Sequence, residues 1–387
     1  MAFPIINTID DVLPHIMGND NFSVNYKDDY IVVDYILNLP ETFHNPVEKE
    51  CRGIIFYADG RIMSRRLHKF FNVNERAETM IENLDFSKPH CILEKLDGSM
   101  ITKILVNGKL QWASKAGVTF LTPQIEEFVK DHPQYNKFCE NWAACGWTPI
   151  FEWCSRKNKI VIDYPEDRLV LLAVRHNLTG YYYSYENMAE WAIMNGIDVV
   201  KQYPGTMKSM QELVDTTKPL EGQEGFVVRF EDGVWVKVKS DQYVIFHKSK
   251  DTLMHEKNVV AIIADKKADD FRVLLSELDR KKFEEFEEQF WENIHKTTTS
   301  FKDEIGRVQW RKVDRKDYAL IYADAFDHSK HLRSLVFRFF GGNPTYQQVR
   351  EEIINIIKKS TSSQTNIDKA RALWDGSPSV GLLKWVY

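Results

Sequence analysis

Glu94-Lys95-Leu96-Asp97-Gly98-Ser99, reached from the apolar run Cys91-Ile92-Leu93, reads as a strand that ends with a lysine amine pointing into a site. The glycine lets the backbone turn where a phosphate approaches, and Asp97 and Ser99 fix the loop by hydrogen bonds. A primary amine attacks phosphorus only when unprotonated, so such a lysine needs an unusual environment. Taken alone, Lys-x-Asp-Gly also fits a plain turn after a strand. The rest of the chain decides between the two.

Downstream, Glu224-Gly225-Phe226-Val227-Val228 and Val234-Trp235-Val236-Lys237-Val238-Lys239-Ser240 flank Glu231-Asp232-Gly233. Asp-Gly between β-rich runs signals a hairpin. Period-two alternation puts Val234, Val236 and Val238 on one face and Trp235, Lys237 and Lys239 on the other. Two neighbouring like charges cost stability unless an anion lies between them. The segment is therefore either an exposed amphipathic strand or a pair of cations aimed at a polyphosphate, with Glu224 entering from the partner strand. Glu152, in Pro149-Ile150-Phe151-Glu152-Trp153-Cys154, is a carboxylate in a β-leaning run: an edge residue facing water, or a group bound to something.

Upstream, Cys51-Arg52-Gly53-Ile54-Ile55-Phe56 reads as a strand with an arginine at its start. Ser64-Arg65-Arg66-Leu67-His68-Lys69-Phe70-Phe71-Asn72 mixes four basic residues with two aromatics, a combination suited to phosphate and base contacts. Asn107-Gly108 joins Ile101–Val106 to Lys109–Ala113 in a second hairpin. That hairpin ends at Ser114-Lys115-Ala116-Gly117 and is expected to return Lys115 close to Lys95. Surrounding positive charge is then expected to strip Lys95 of its proton.

In order, these strings resemble the signature elements of the covalent nucleotidyltransferases, and most closely the bacteriophage RNA ligase 1 family. Arg-Gly-Ile at 52 to 54, His-Lys-Phe-Phe-Asn at 68 to 72, Lys-x-Asp-Gly-Ser at 95 to 99 and Ser-Lys at 114 to 115 carry the likeness. So do Phe-Glu at 151 to 152, Glu-Gly-Phe-Val at 224 to 227 and Val-Lys-Val-Lys-Ser-Asp at 236 to 241. The likeness spans the polypeptide and fades after about residue 275. It implies an α+β chain: an N-terminal adenylyltransferase domain of antiparallel sheets with flanking helices over residues 1–245, then an all-helical domain over 246–387 for RNA recognition. The implied activity is ATP-dependent joining of RNA 5′-phosphate and 3′-hydroxyl ends through a lysyl-AMP and an RNA-adenylate. Lys95 would be the adenylated nucleophile, with Lys237, Lys239 and Glu224 completing the catalytic set. Tyr35, Arg52 and Glu152 would contact the nucleotide, and Lys69, Lys115, Lys237 and Lys239 the triphosphate and the RNA 5′-phosphate. Glu224 would support the metal or the lysine, and Glu224, Asp269 and Asp270 would serve a divalent metal, Mg²⁺ or Mn²⁺. The implied partners are ATP and single-stranded RNA or a broken tRNA anticodon loop, with no membrane and a monomeric state. One departure is Ala116, where the family commonly has Gly directly after the Lys. Within the class a DNA nick ligase or a GTP-using capping enzyme shares the lysine and the hairpin; outside it stands a non-catalytic RNA-binding relative.

Bulk properties fit this frame. Residues 1–246 hold 26 Lys+Arg against 34 Asp+Glu, and 247–387 hold 25 against 22. Any RNA affinity must then come from local basic strips rather than a broad basic face. The five cysteines form no C-x-x-C pair, which points to a reducing cytosol, that of an infected bacterium if the chain is phage-encoded. Cys154 is a buried thiol or a reactive one. No run approaches 18 apolar residues, and no export signal is expected. Thr122–His132 and Tyr185–Asn195 read as helices, Arg168–Arg175 as a buried strand. Beyond residue 250 the period turns helical, with apolar Phe283, Phe286, Phe290, Trp291 and Ile294 in 279–295 and Val349, Ile353, Ile356 and Ile357 in 349–359. Arg307, Arg311, Lys312, Arg315 and Lys316, and His328, Lys330, His331 and Arg333, are candidate RNA contacts or solvated faces.

Overall fold

A computed structural model describes residues 3–39, 42–157, 160–311, 314–317, 335, 337–375 and 383–387, apart from the side chains of 304 and 307–311. It divides the chain into two compact units, Met1–Val244 and Ile245–Tyr387.

The first unit is α+β and holds three sheets. One orders Phe22–Tyr26, Tyr30–Tyr35, Arg52–Tyr57 and Ile62–Ser64. A second orders Arg168–His176, Trp147–Cys154, Ser99–Val106 and Lys109–Ser114, its hairpin turned at Asn107 (φ 51°) and Gly108 (φ 72°). Two successive positive φ angles give the turn whose twist suits a two-residue hairpin. The third orders Gln202–Tyr203, His90–Lys95, Gly225–Phe230, Trp235–Lys239 and Phe71–Asn72; only its last pair is parallel. The first two sheets share a core of Val32, Ile55, Ile104 and Ala113. Behind the second, the helices Thr122–Asp131, Gln134–Ala144 and Tyr185–Met194 add Ile125, Phe138 and Met188. Leu67, Phe70, Ile150, Ala173 and Trp235 form a further buried cluster among the sheets.

A buried ion cluster fixes the segment that leads to Lys69. Glu50 ends the helix Pro46–Glu50, and its carboxylate receives Arg175 through two contacts of 2.8 Å and Arg65 at 3.0 Å. Burial opposes the charge, yet Arg175 and Arg65 overcome it and hold the carboxyl at about 2. Arg65 also donates to the carbonyls of Pro4 and Leu178, and Arg66 to those of Gly53 and Ser114. Removing one partner of a buried ion set strands the others in low dielectric. We therefore expect Glu50→Ala to lower the unit's stability by about 3–5 kcal/mol in chemical denaturation.

The second unit is helical. Its core joins Val259 and Ile263 of Glu256–Ala264, Phe283, Phe290 and Ile294 of Glu277–Arg311, and Val349, Ile353 and Ile357 of Tyr346–Ser360. The expected aromatic stripe is thus packing core. Arg371 clasps the buried Glu256 through two contacts of 2.6 Å, and the Glu256 carboxylate also accepts the Trp385 amide at 3.0 Å. No helix among the described residues is long and apolar enough to cross a membrane. Of the basic candidates, Arg315 and Lys316 are exposed. Lys312, His328, Lys330, His331 and Arg333, with the side chains of Arg307 and Arg311, lie outside the described residues.

Candidate active site

Three adjacent strands bring the motif residues together. Gly225 pairs across its strand with Lys95 on one side and Lys239 on the other. The preceding Glu224 is 2% exposed, and its carboxylate bridges both amines: Oε2 lies 2.6 Å from Lys95 Nζ and Oε1 2.9 Å from Lys239 Nζ. Gly225 adopts φ +135°, and a Cβ there would sit 2.0 Å from the Val238 carbonyl oxygen, so no side chain fits beside the bridging glutamate. Of the two like charges read from the strand, Lys239 is paired with this anion, which it shares with Lys95 and not with Lys237. This corrects one expectation, because Lys95 is not ringed by positive charge alone: its amine is ion-paired.

Lys237 follows on the same face, with its amine 4.9 Å from the Phe70 ring centre. Burial, then Arg52, Lys95, Lys69 and Lys239, push its ammonium well below the usual lysine range. Among the described residues no carboxylate is paired with it. Trp235 shares the face, as the alternation requires, and is buried.

Asp97 does more than fix its own loop. Its Oδ2 accepts the amides of Val161 and Ile162 at 2.7 Å each, Oδ1 accepts the Tyr243 hydroxyl at 2.8 Å, and the Asp97 amide donates to the Tyr164 hydroxyl at 2.8 Å. Tyr243, which sequence reasoning passed over, also has the Lys239 ammonium 4.9 Å from its ring centre. Gly98, which lines the cavity of this site, carries a constraint the sequence did not show: a Cβ there would meet the Trp153 carbonyl oxygen at 2.4 Å, so the close backbone approach to the neighbouring strand by itself requires glycine.

The upstream basic cluster also divides. Arg65, Arg66 and His68 are buried and tied into the scaffold, so three of the four basic residues assigned to phosphate and base contacts are structural. Lys69 remains, its ammonium 4.8 Å from the ring centre of Tyr35, 5.3 Å from that of Phe43 and 5.2 Å from that of Phe71. Burial, then Arg52, lowers it to about 8. Arg52 lies over Phe70 and donates to the His68 carbonyl at 3.3 Å. Lys115 pairs with Asp34 at 2.9 Å and sits 4.2 Å from the Tyr35 ring centre. The turn after it closes between Ser114 and Gly117, at φ +93° and against Tyr30, so the glycine two places on does what the missing neighbour would.

Several of these groups, though neither Lys69 nor Glu224, line a cavity of about 670 Å³, within the range of small-molecule sites. Leu93, Leu172, Val200 and Val227 supply apolar wall; Tyr35, Arg52, Lys95, Lys115, Glu152, Lys237 and Lys239 supply the polar side. Glu152 is on a central strand rather than an edge, opposite Met100 on one side and Val170 on the other. Burial raises its carboxyl to about 7, against the pull of Lys95 and with reinforcement from Glu224. A carboxyl raised on folding stabilises fully below its unfolded value, near 4.5, and loses that contribution as pH climbs through about 7. The melting temperature of the wild type, relative to Glu152→Gln, should therefore fall from pH 4.5 to 7. A flat difference would refute the protonated carboxyl.

Among the described residues, no three or more His, Cys, Asp or Glu side chains converge as a metal site. Both Glu224 oxygens take lysine amines, while Asp269 and Asp270 are exposed on Ala268–Arg272 of the second unit, Asp269 paired with Arg272 at 2.5 Å. Among the described residues Glu152 makes no side-chain hydrogen bond or ion pair, and it lines the cavity. One carboxylate beside room for phosphates fits Mg²⁺, which keeps much of its water and leans on substrate oxygens. Cys154 is fully buried, and burial pushes its thiol up to about 12, so it is no reactive thiol.

The cavity gathers Arg52, Lys95, Lys115, Lys237 and Lys239 on one polar side, an arrangement able to take a phosphate-bearing ligand. A family model described as RNA ligase matches residues 50–252, and one described as T4 RNA ligase 1, C-terminal domain, matches 250–366. The chain belongs to the RNA ligase family of the bacteriophage RNA ligase 1 type. It is similar to an inferred RNA ligase of Thermovibrio ammonificans, 35% identical over 245 residues, covering 61% of this chain and 63% of the relative. It is also similar to RNA ligase 1 of bacteriophage TS2126, 28% identical over 220 residues, 54% of each chain. An inferred bifunctional polynucleotide kinase/RNA ligase of Autographa californica nuclear polyhedrosis virus is 29% identical over 298 residues, 67% of this chain and 40% of its own. The match thus spans less than two thirds of each relative's length.

Proposed function

We propose that this chain is an ATP-dependent RNA ligase that joins a 5′-phosphate to a 3′-hydroxyl by way of a lysyl-AMP. The observation that carries this reading is the Lys95–Glu224–Lys239 bridge at the wall of a cation-lined cavity. In the first transfer Lys95 Nζ bonds to the α-phosphorus of ATP while the bond to the β-phosphate oxygen breaks and pyrophosphate leaves. Attack needs Nζ without its proton, and Glu224 Oε2 at 2.6 Å is an acceptor already in place. In the second, an oxygen of the RNA 5′-phosphate displaces Nζ and takes the adenylate. In the third, a 3′-hydroxyl attacks the RNA phosphorus and AMP leaves.

Each transfer develops charge on phosphate oxygens, so the protein's task is in-line positioning and electrostatic stabilisation. Lys237, Lys69, Arg52 and Lys115 would perform it, with Tyr35 beside the nucleotide. A divalent cation, Mg²⁺ or Mn²⁺, would neutralise phosphate charge, held by Glu152 and the phosphates. The proposed substrate is single-stranded RNA or a nicked anticodon loop, met as a monomer in a bacterial host's cytoplasm. That setting draws support from the phage relative and five free thiols.

Incubation with α-labelled ATP and Mg²⁺, followed by a denaturing gel, tests the reading. Label should stay on the 45.4 kDa chain and move to 5′-phosphorylated RNA when that is added. GTP and nicked duplex DNA serve as rival substrates. Absence of label with ATP would sink the proposal.

A further inference from the structure

Phe120 lines the mouth of the cavity and yet is 74% exposed. Its neighbour Leu121 is 5% exposed and leads into the helix Thr122–Asp131. The ring is not exposed because its segment is loose. The Val118 amide donates to the Tyr30 hydroxyl at 3.1 Å, the Thr119 hydroxyl to Ser114 Oγ at 3.3 Å, and the Thr122 amide to the Thr119 carbonyl at 3.0 Å. Thr122 Oγ1 in turn donates to the Trp112 carbonyl at 2.8 Å. Both sides of Phe120 are tied to the second sheet, and among the described residues its ring meets no aromatic or cationic partner.

A single exposed apolar side chain needs no explanation on an ordinary surface. Phe120 differs in position: it lines the same cavity as Lys115, which lies five residues earlier and is paired with Asp34. A cation and a free aromatic face on one rim match the two ends of a nucleotide, phosphate and base. The interior apolar wall of Leu93, Leu172, Val200 and Val227 is suited to the base of ATP, which leaves the open rim for a second nucleotide. We propose that Phe120 is a stacking platform for the base of the first nucleotide at the 5′-phosphorylated RNA end. This rests on the RNA-ligase reading and adds to it the binding site for that end. Stacking is sequence-tolerant, because every base has a π-face, so the platform accepts any 5′ base.

The test pairs enzyme and substrate changes. Equilibrium binding is measured for a 5′-phosphorylated oligoribonucleotide and for the same oligomer with an abasic first residue, against wild type, Phe120→Ala and Phe120→Trp. Stacking contributes about 1–3 kcal/mol per base, so the wild type should bind the intact end about 5- to 150-fold more tightly than the abasic one. Phe120→Ala should bind both oligomers equally weakly, and Phe120→Trp should keep the preference. Labelling by ATP, read separately, should be unchanged in Phe120→Ala. An equal base preference in wild type and Phe120→Ala would overturn the platform, as would a matching loss of ATP labelling, which would assign the ring to ATP. Binding needs no turnover, so failure of ATP labelling in the wild type would count against the ligase reading alone.

Discussion

Replacing Lys95 with alanine is expected to remove covalent AMP labelling altogether. Oriented attack within a site carries effective molarities of about 10⁵ M and above, so labelling should fall by at least about 10⁴-fold. Lysines at 115, 237 and 239 share the cavity, and the question is whether one could substitute. Lys239 projects from the second strand over, on the far side of the Glu224 carboxylate, and Lys115 is held by Asp34. A misplacement of about 1 Å costs of the order of 10²-fold, and these amines reach the site from other parts of the fold, each held by its own carboxylate contact. Joining of an RNA supplied already adenylated should keep a measurable rate in the same variant, because that transfer forms no bond to Lys95. Label on the Lys95→Ala chain, by gel and by peptide mapping, would refute the assignment of the nucleophile.

The residues legible in advance share one property: local rules place them. Period two puts Lys237 and Lys239 on one face, the Asp232-Gly233 turn folds Glu224 back beside them, and an apolar run delivers Lys95 to a strand end. What stayed hidden depends on contacts across long sequence separations. Nothing near Arg65 or Arg66 announces that Glu50, the Ser114 carbonyl and the Leu178 carbonyl will consume their donors, so they read as phosphate ligands. Gly98 reads as a turn residue because the strand that presses on it starts some fifty positions later in the chain, at Trp147. Tyr243 carries no signal until Asp97 is found opposite its hydroxyl. In the second unit the helix 279–295 extends over Glu277–Arg311. The apolar period read from the sequence stops before Thr297-Thr298-Thr299-Ser300, a stretch of weak helix propensity. There Thr298 and Thr299 hydroxyls donate back to the Ile294 and His295 carbonyls at 2.7 and 3.0 Å, and Phe301 and Ile305 resume the buried stripe. Tertiary packing carries the helix through the weak turn.

Glu224 and Lys237 divide the electrostatic work of the site. Glu224 neutralises two of the clustered cations before any ligand arrives, which lets Lys95 and Lys239 sit on the strands either side of Gly225–Phe230 without a phosphate between them. Among the described residues Lys237 has no carboxylate in ion-pair contact, Glu75 acting on it only at longer range. With Arg52, Lys69, Lys95 and Lys239 around it, it is the cation that an incoming polyphosphate relieves most.

Lys237→Ala should accordingly cut lysine adenylation by about 10²–10³-fold, the loss typical of one preorganised charge-stabilising group. Unlike Lys95→Ala it should leave slow, real labelling. The proton balance gives a second readout. Ammonium groups at 237 and 69 lose protons at lower pH than ordinary lysines, so the free site is partly deprotonated on the alkaline side of neutrality. A bound polyphosphate favours the charged forms and must pull protons in. Calorimetric titration with inorganic pyrophosphate in two buffers of different ionisation heat should show proton uptake near pH 8 by the wild type. Uptake should be smaller in Lys237→Ala and its remainder carried by Lys69. Equal uptake in both proteins, or uptake by neither, would mean that Lys237 does not face the phosphates, and the proposed division of charge would fail with it.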